Sequence, residues 1–195
     1  MASVTALRGL SRDRVAVELD GAPWRVVPAA AVVRAGLSVG TTLDRPAARI
    51  LRHELRRAAA EDVALRSLRS SDRSRHALEQ RLDRASVTPA TRDETLGMLE
   101  RTGLVDDARF AIRRAESLAA RGYGDAAIEA DLERERVSAE HRAAALEALE
   151  SEIDRARRIA ERRGRDVRTA RLLASKGFGE EAVAAALGPT FASDL

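Results

Sequence analysis

Ala77-Leu-Glu-Gln-Arg-Leu-Asp-Arg-Ala-Ser-Val87 returns fifty residues later as Ala127-Ile-Glu-Ala-Asp-Leu-Glu-Arg-Glu-Arg-Val137. Leu78 falls on Ile128, Glu79 on Glu129, Leu82 on Leu132, Arg84 on Arg134 and Val87 on Val137. The match continues on both sides. Leu68 meets Leu118, Arg92 meets Arg142, Leu96 meets Leu146 and Leu99 meets Leu149. Most of the matched positions are apolar and recur at helical spacing, so the core pattern itself repeats. A fainter third copy keeps the same interval: Val87 to Leu96 and Val137 to Leu146 are both nine apart, as is Phe178 to Leu187.

Breakers divide each copy into three helices. Pro89, Gly103, Gly122, Gly124, Gly164, Gly177 and Gly179 punctuate an otherwise helical pattern. The spacing predicts helices over roughly 60–70, 74–84 and 89–102, then 106–121, 125–135 and 139–150, then 151–163, 166–176 and 180–187. A helix pair or triplet of this size leaves an apolar face uncovered, so neighbouring units are expected to stack into an elongated, curved array.

Residues 1–44 follow a different rule. Val4 to Leu7, Arg14 to Leu19 and Trp24 to Val27 read as short strands. Val15, Val17 and Leu19 alternate with Ala16 and Glu18, as a half-buried strand requires. Asp20-Gly21 supplies a hairpin turn, and Pro28 to Ala35 a short helix stopped by Gly36. Trp24 is expected in the core of this small β-rich cap. The fold class expected is therefore mainly α: three tandem three-helix repeats behind an N-terminal cap. The divisions are 1–44 for the cap, 45–104 for a connecting helix and the first repeat, 105–150 for the second repeat, and 151–195 for the third.

Composition limits the chemistry. The 195 residues are 45% apolar but only 3% aromatic, so the core must be Leu, Ala, Val and Ile. Without cysteine there is no disulfide, thiol nucleophile or cysteine metal site. No run approaches a membrane span, and Met1 to Leu10 lacks the apolar segment of a signal peptide, so a soluble cytoplasmic protein is expected. No phosphate-binding loop pattern occurs. His53, His76 and His141 are too scattered to form a metal site, and no triad partner accompanies Ser74 and His76. No cofactor, metal or catalytic residue is expected. Asp106-Asp107 precedes a helix, where a carboxylate accepts unpaired N–H groups and complements the dipole. Phe110 is then a core residue of that helix.

Charge is unevenly spread. The net charge is +3, and Lys176 is the single lysine beside 33 arginines. A GC-rich genome favours arginine codons and accounts for that bias without any function. Basic against acidic residues number 7 to 4 over 1–50, 11 to 9 over 51–104, 7 to 11 over 105–150 and 9 to 7 over 151–195. Between Arg155 and Lys176 nine basic residues face only Glu161 and Asp166. Arg155, Arg158 and Arg162 share one helical face, and Arg168 and Arg171 extend the stripe on the next helix. A solvated face and a contact to phosphates or to an acidic protein surface both fit this stripe.

Local signatures within the repeats resemble the RecX regulatory proteins. Gly103-Leu-Val-Asp-Asp-Ala-Arg-Phe-Ala111 is similar to the Asp-Asp-x-Arg-Phe-Ala segment that opens that family's second repeat. Leu65-Arg-Ser-Leu-Arg69, with Ser74 and Leu78 to Leu82, resembles its first repeat. Arg171-Leu-Leu-Ala-Ser-Lys-Gly-Phe178 resembles its Leu-x-x-(Arg/Lys)-Gly-Phe segment, which singles out Gly177 and Phe178 as structural. Asp13-Arg-Val15, Leu19-Asp-Gly21 and the stretch from Gly36 to Gly40 resemble the family's N-terminal extension. Two features depart from the pattern: Ala77 stands where a capping-box Glu is common, and arginines replace the usual lysines.

The resemblance implies a monomeric, non-enzymatic regulator. It would bind RecA–DNA filaments and inhibit RecA ATPase and strand exchange, so modulating homologous recombination, DNA repair and the SOS response. Arg155, Arg158, Arg162, Arg168, Arg171 and Lys176 are the candidate partner-binding residues, with DNA as a further ligand of the basic faces. A direct DNA-binding helical-repeat protein and a general protein-binding scaffold are the competing readings.

Overall fold

The computed structural model describes residues 1–188; the end of the expected third repeat, 189–195, lies outside them. The described residues form two compact units, one of residues 1–71 and 78–102, the other of residues 72–77 and 103–188.

The first unit begins with a four-stranded antiparallel sheet in the order β3-β2-β1-β4, formed by β1 (Ala2–Ser11), β2 (Arg14–Leu19), β3 (Ala22–Pro28) and β4 (Thr42–Leu43). The β2–β3 turn places Asp20 and Gly21 at φ 49° and 80°. Two consecutive left-handed residues give the turn the twist of its flanking strands. The Gly21 N–H donates to Thr5 Oγ1 at 2.9 Å, and Asp20 Oδ1 accepts from the Ser3 N–H at 2.8 Å, tying the turn to β1. Alternation puts Val4, Val17 and Val27 on one face. There they meet Val32 of α1 (Ala29–Arg34), Leu37, and Leu51 of α2 (Arg45–Ser70).

Trp24 does not join this core. It is 40% exposed, because the register slips between Val17 and Glu18. Val17 pairs with Arg25 and Glu18 with Pro23, which leaves Trp24 as the extra residue of a bulge.

Asp44 starts α2, its Oδ1 accepting from the Ala47 N–H at 2.8 Å. The helix then runs unbroken for 26 residues. The separate helix expected from about residue 60 is thus the C-terminal part of α2. Nothing between Pro46 and Ser70 interrupts a helix, and Ala58-Ala-Ala60 favours one strongly. α2 packs against α1 and α4 (Pro89–Arg101). The helix between them in sequence, α3 (Arg75–Arg84), is divided between the two units.

The second unit contains α5 (Asp107–Ala120), α6 (Asp125–Arg134), α7 (Ala139–Glu147), α8 (Glu152–Arg163), α9 (Val167–Ser175) and α10 (Glu180–Leu187). α5, α6 and α7 enclose Ala111, Ala115, Leu118, Ile128, Leu132, Val137 and Ala145, with Phe110 packed at the edge. α8, α9 and α10 enclose a second core around Ala156, Ala160, Leu173, Phe178 and Val183. Alanine supplies three of the seven buried residues of the first of these cores and five of the nine of the second, which lets the helices approach closely.

The sequence match extends to how helices end. The N–H of Val87 donates to the Leu82 carbonyl, that of Val137 to Leu132 and that of Phe178 to Leu173, each at 3.1 Å. The preceding residues, Ser86, Arg136 and Gly177, have φ of 57°, 55° and 79°. This is the same left-handed helix termination at all three, and it recurs at the ends of α1 and α5, where Leu37 N–H donates to Val32 and Tyr123 N–H to Leu118. It accounts for the conserved interval between the last apolar residue of one helix and the valine or phenylalanine that follows.

Candidate anion-binding surface

Asp106 and Asp107 act at two different helix starts. Asp106 Oδ1 accepts from the Arg109 N–H at 3.0 Å, capping α5. Asp107 Oδ1 accepts from the Arg75 N–H at 2.8 Å, at the start of α3. Ser74 Oγ accepts from the Ala77 N–H and donates to Glu135 at 2.6 Å. Carboxylates from elsewhere in the chain thus serve the helix start that lacks its own capping-box Glu. The Arg109 N–H holds the Asp106 carboxyl below its ordinary value of 3.8.

Gly177 and Phe178 belong to an interlock between α6 and the α9–α10 turn. The Gly124 N–H donates to the Lys176 carbonyl at 2.9 Å and the Ala126 N–H to the Gly177 carbonyl at 3.2 Å. A Cβ on Gly124 would lie 2.3 Å from the Gly177 oxygen, and one on Gly177 would lie 2.6 Å from the Ala127 nitrogen. Glu152 bridges both sides: Oε1 accepts from Asp125 N–H at 2.6 Å and Oε2 from Gly179 N–H at 3.2 Å.

Arg155 completes the interlock. Its Nη1 donates to the Tyr123 carbonyl at 2.8 Å and its Nε to the Glu150 carbonyl at 3.1 Å. Its Nη2 pairs with Asp125, and its guanidinium lies 5.8 Å from the Phe178 ring centre. Arg155 is only 4% exposed. It therefore leaves the exposed stripe that helical spacing assigned to it. A buried guanidinium whose three nitrogens each donate to a fixed acceptor is structural cement. A related ion pair lies nearby. Arg114 grips Asp131 with two hydrogen bonds of 2.8 and 3.1 Å, and Arg134 adds a third at 2.8 Å. The Arg114 bond pushes the Asp131 carboxyl below 3.8 and the guanidinium above its ordinary value.

The remaining expected residues are distributed unequally. Arg158 is exposed and pairs with Glu150. Arg168 and Arg171 are exposed on α9. Arg162 and Lys176 come together at an open depression of about 480 Å³, lined also by Arg121, Gly122, Ile159, Arg163 and Leu172. Lys176 Nζ sits 3.9 Å from the Tyr123 ring centre and the Arg121 guanidinium 5.4 Å from it. The ring's negative faces offset the repulsion between the two cations.

Arg121 and Lys176 end α5 and α9, and Arg162 and Arg163 occupy the last turn of α8. Each helix C-terminus carries about half a negative charge. Three such ends offset only part of four full cations, and among the described residues none of the four forms an ion pair with a carboxylate. The depression therefore keeps a net positive charge. Sequence spacing did not reveal Arg121, which stands in the acidic middle segment, where local charge counts hide it. Among the described residues no group of His, Asp and Glu has the arrangement of a metal site.

Comparison with solved structures assigns the architecture. A crystal structure described as regulatory protein RecX superposes with a TM-score of 0.79, covering 93% of this chain and 97% of that one at 18% identity. The fold is that of RecX. A second crystal structure, RecX from Lactobacillus salivarius, gives a TM-score of 0.58 at 18% identity, over 66% of this chain and 92% of that one. No protein-family model and no curated protein sequence matches the chain. The RecX fold thus places a mainly helical chain behind a small antiparallel sheet. Among the described residues no helix is long and apolar enough to cross a membrane.

Proposed function

We propose that this chain is a regulator of RecA. On this reading it binds RecA–DNA filaments and restrains ATP hydrolysis and strand exchange without chemistry of its own, and so modulates recombinational repair and the SOS response. The observation that carries the reading is the RecX fold over nearly the whole length of both chains. Contacts to several protomers of a filament add through high effective concentration, so individually weak contacts suffice. The exposed cations Arg158, Arg162, Arg168 and Arg171 and the half-buried Lys176 would meet phosphate or acidic RecA surface, joined by Arg121 and Arg163. Arg155 stays inside.

The test is ATP hydrolysis by the RecA of the same organism on single-stranded DNA during titration with this chain. Inhibition well below one molecule per RecA protomer is expected. Unchanged hydrolysis, with no co-sedimentation with filaments, rejects the reading.

The basic depression favours one second reading, direct DNA binding. Phosphate contacts release counterions, so such binding would weaken steeply with salt. DNA affinity without RecA equal to that for the filament, abolished by Arg121→Glu with Arg162→Glu, would move this reading forward.

A further inference from the structure

The N-terminal unit carries a second surface of a different kind. Trp24, Leu43, Leu51 and Leu55 floor an open groove of about 590 Å³ along α2. Its rim is basic. Arg25, Arg45 and Arg52 line it, and the spacing of Arg45, Arg49, Arg52 and Arg56 sets four guanidiniums on one face of α2 beside Ala48, Leu51 and Leu55.

All four are exposed, and none has a carboxylate partner among the described residues. The acids of α2 do not neutralise this side. Glu54 and Glu61 are held by Arg34 at 2.6 and 3.2 Å, and Asp62 is paired with Arg66 one turn on. The single acid at the groove, Asp44, is occupied by the Ala47 N–H.

We propose that this groove docks an acidic protein segment carrying an apolar anchor side chain. The aliphatic floor rewards burial of a side chain, whereas a phosphate gains nothing from it. A single strand held by its bases would need stacking platforms, and Trp24 is the one ring here, with the Arg25 guanidinium already 5.4 Å from its centre. A second copy of this chain would bring the same positive rim against itself. The inference is independent of the RecA reading, since it rests on unit 1 alone.

Fluorescence anisotropy on the full chain tests it, with a short labelled peptide of Asp and Glu built around one Leu and one Phe. Saturable binding is expected. The double variant Arg45→Glu/Arg52→Glu and the single variant Trp24→Ser should each weaken it at least about tenfold, with far-UV circular dichroism unchanged. Arg162→Glu, in the other unit, should leave the affinity intact. The proposal is overturned if no binding occurs, or if a peptide with Ser in place of Leu and Phe binds as tightly. It is equally overturned if Arg162→Glu weakens the peptide as much as the α2 variants do. A single-stranded oligonucleotide that outcompetes the peptide would assign the groove to nucleic acid instead.

Discussion

The two units are fastened by different chemistry. In the second, α6 meets the α9–α10 turn backbone to backbone: the Gly124 N–H donates to the Lys176 carbonyl and the Ala126 N–H to the Gly177 carbonyl, at an approach of Gly124 and Gly177 that leaves no room for a Cβ, and buried Arg155 stitches three carbonyl and carboxylate acceptors around them. In the first, β-strands and α2 meet through aliphatic side chains, and α1, α2 and α4 are joined by ion pairs that run from the nearly buried Glu54, held by Arg34, through Glu61 to the more exposed Glu94, held by Arg57. Backbone interlocks are intolerant of a single added carbon. Solvent-screened ion pairs tolerate the loss of either partner. The contrast predicts where substitutions do most damage.

The largest effect is expected at the glycine pair. Gly177→Ala adds a Cβ where φ is 79° and the nearest atom is 2.6 Å away. Steric overlap with backbone adds to left-handed strain, so a loss of about 3 kcal/mol or more in urea denaturation is expected. Gly103→Ala is the control. Its φ is 68° but nothing lies within 4 Å of the new Cβ, so only about 1 kcal/mol is expected. Equal losses would show that the close approach contributes nothing.

Next comes Arg155 against Arg158. Arg155→Ala strands the Tyr123 carbonyl and Asp125, and a loss of about 2–4 kcal/mol is expected. Arg158→Ala, at an exposed pair with Glu150, should cost under about 0.5 kcal/mol. Loss of filament inhibition by Arg158→Ala with stability retained would assign Arg158 to the partner surface. The same loss in Arg155→Ala would report misfolding.

These two arginines also mark how far the sequence could be read. Both fell on one face of the same helix, and helical spacing treats them alike. Only the tertiary placement of Tyr123 and Asp125 beside residue 155 separates them. What depended on period was legible: helix number and bounds from 74 onward, the Asp20-Gly21 hairpin, and the alternation that buries Val17. What depended on distant segments was not. Trp24 was expected inside because it is aromatic, yet a one-residue bulge turned it out. Arg121 was invisible because it joins Arg162 and Lys176 only after α5, α8 and α9 end at one place. The nine-residue interval from Val87, Val137 and Phe178 was legible too, and the left-handed residues 86, 136 and 177 that precede them stand where that interval begins.

A smaller effect is expected from Asp131. Burial at 8% exposure beside Arg114 makes the ion pair sensitive to protonation. Because its folded carboxyl lies below 3.8, its contribution is fully present above that value and is lost as pH falls beneath it. Asp131→Asn should cost about 1–2 kcal/mol at neutral pH, and the gap between variant and parent should close in acid. A gap independent of pH would mean that shape at residue 131, rather than charge, holds α5 to α6.

The smallest effect is expected in the first unit's ion network. Glu94 accepts from Arg57 at 3.0 Å and stands 3.3 Å from His53 Nε2, with its side chain 34% exposed. Glu94→Gln keeps the shape and removes the charge, so the loss should be below about 1 kcal/mol and should shrink further in molar salt. The comparison between units turns on this screening. If Glu94→Gln costs as much as Asp131→Asn and salt leaves it unchanged, the α2–α4 contact is as dry as the interior of the second unit. The distinction between the solvent-screened Glu94 contact and the more buried Asp131 pair would then collapse.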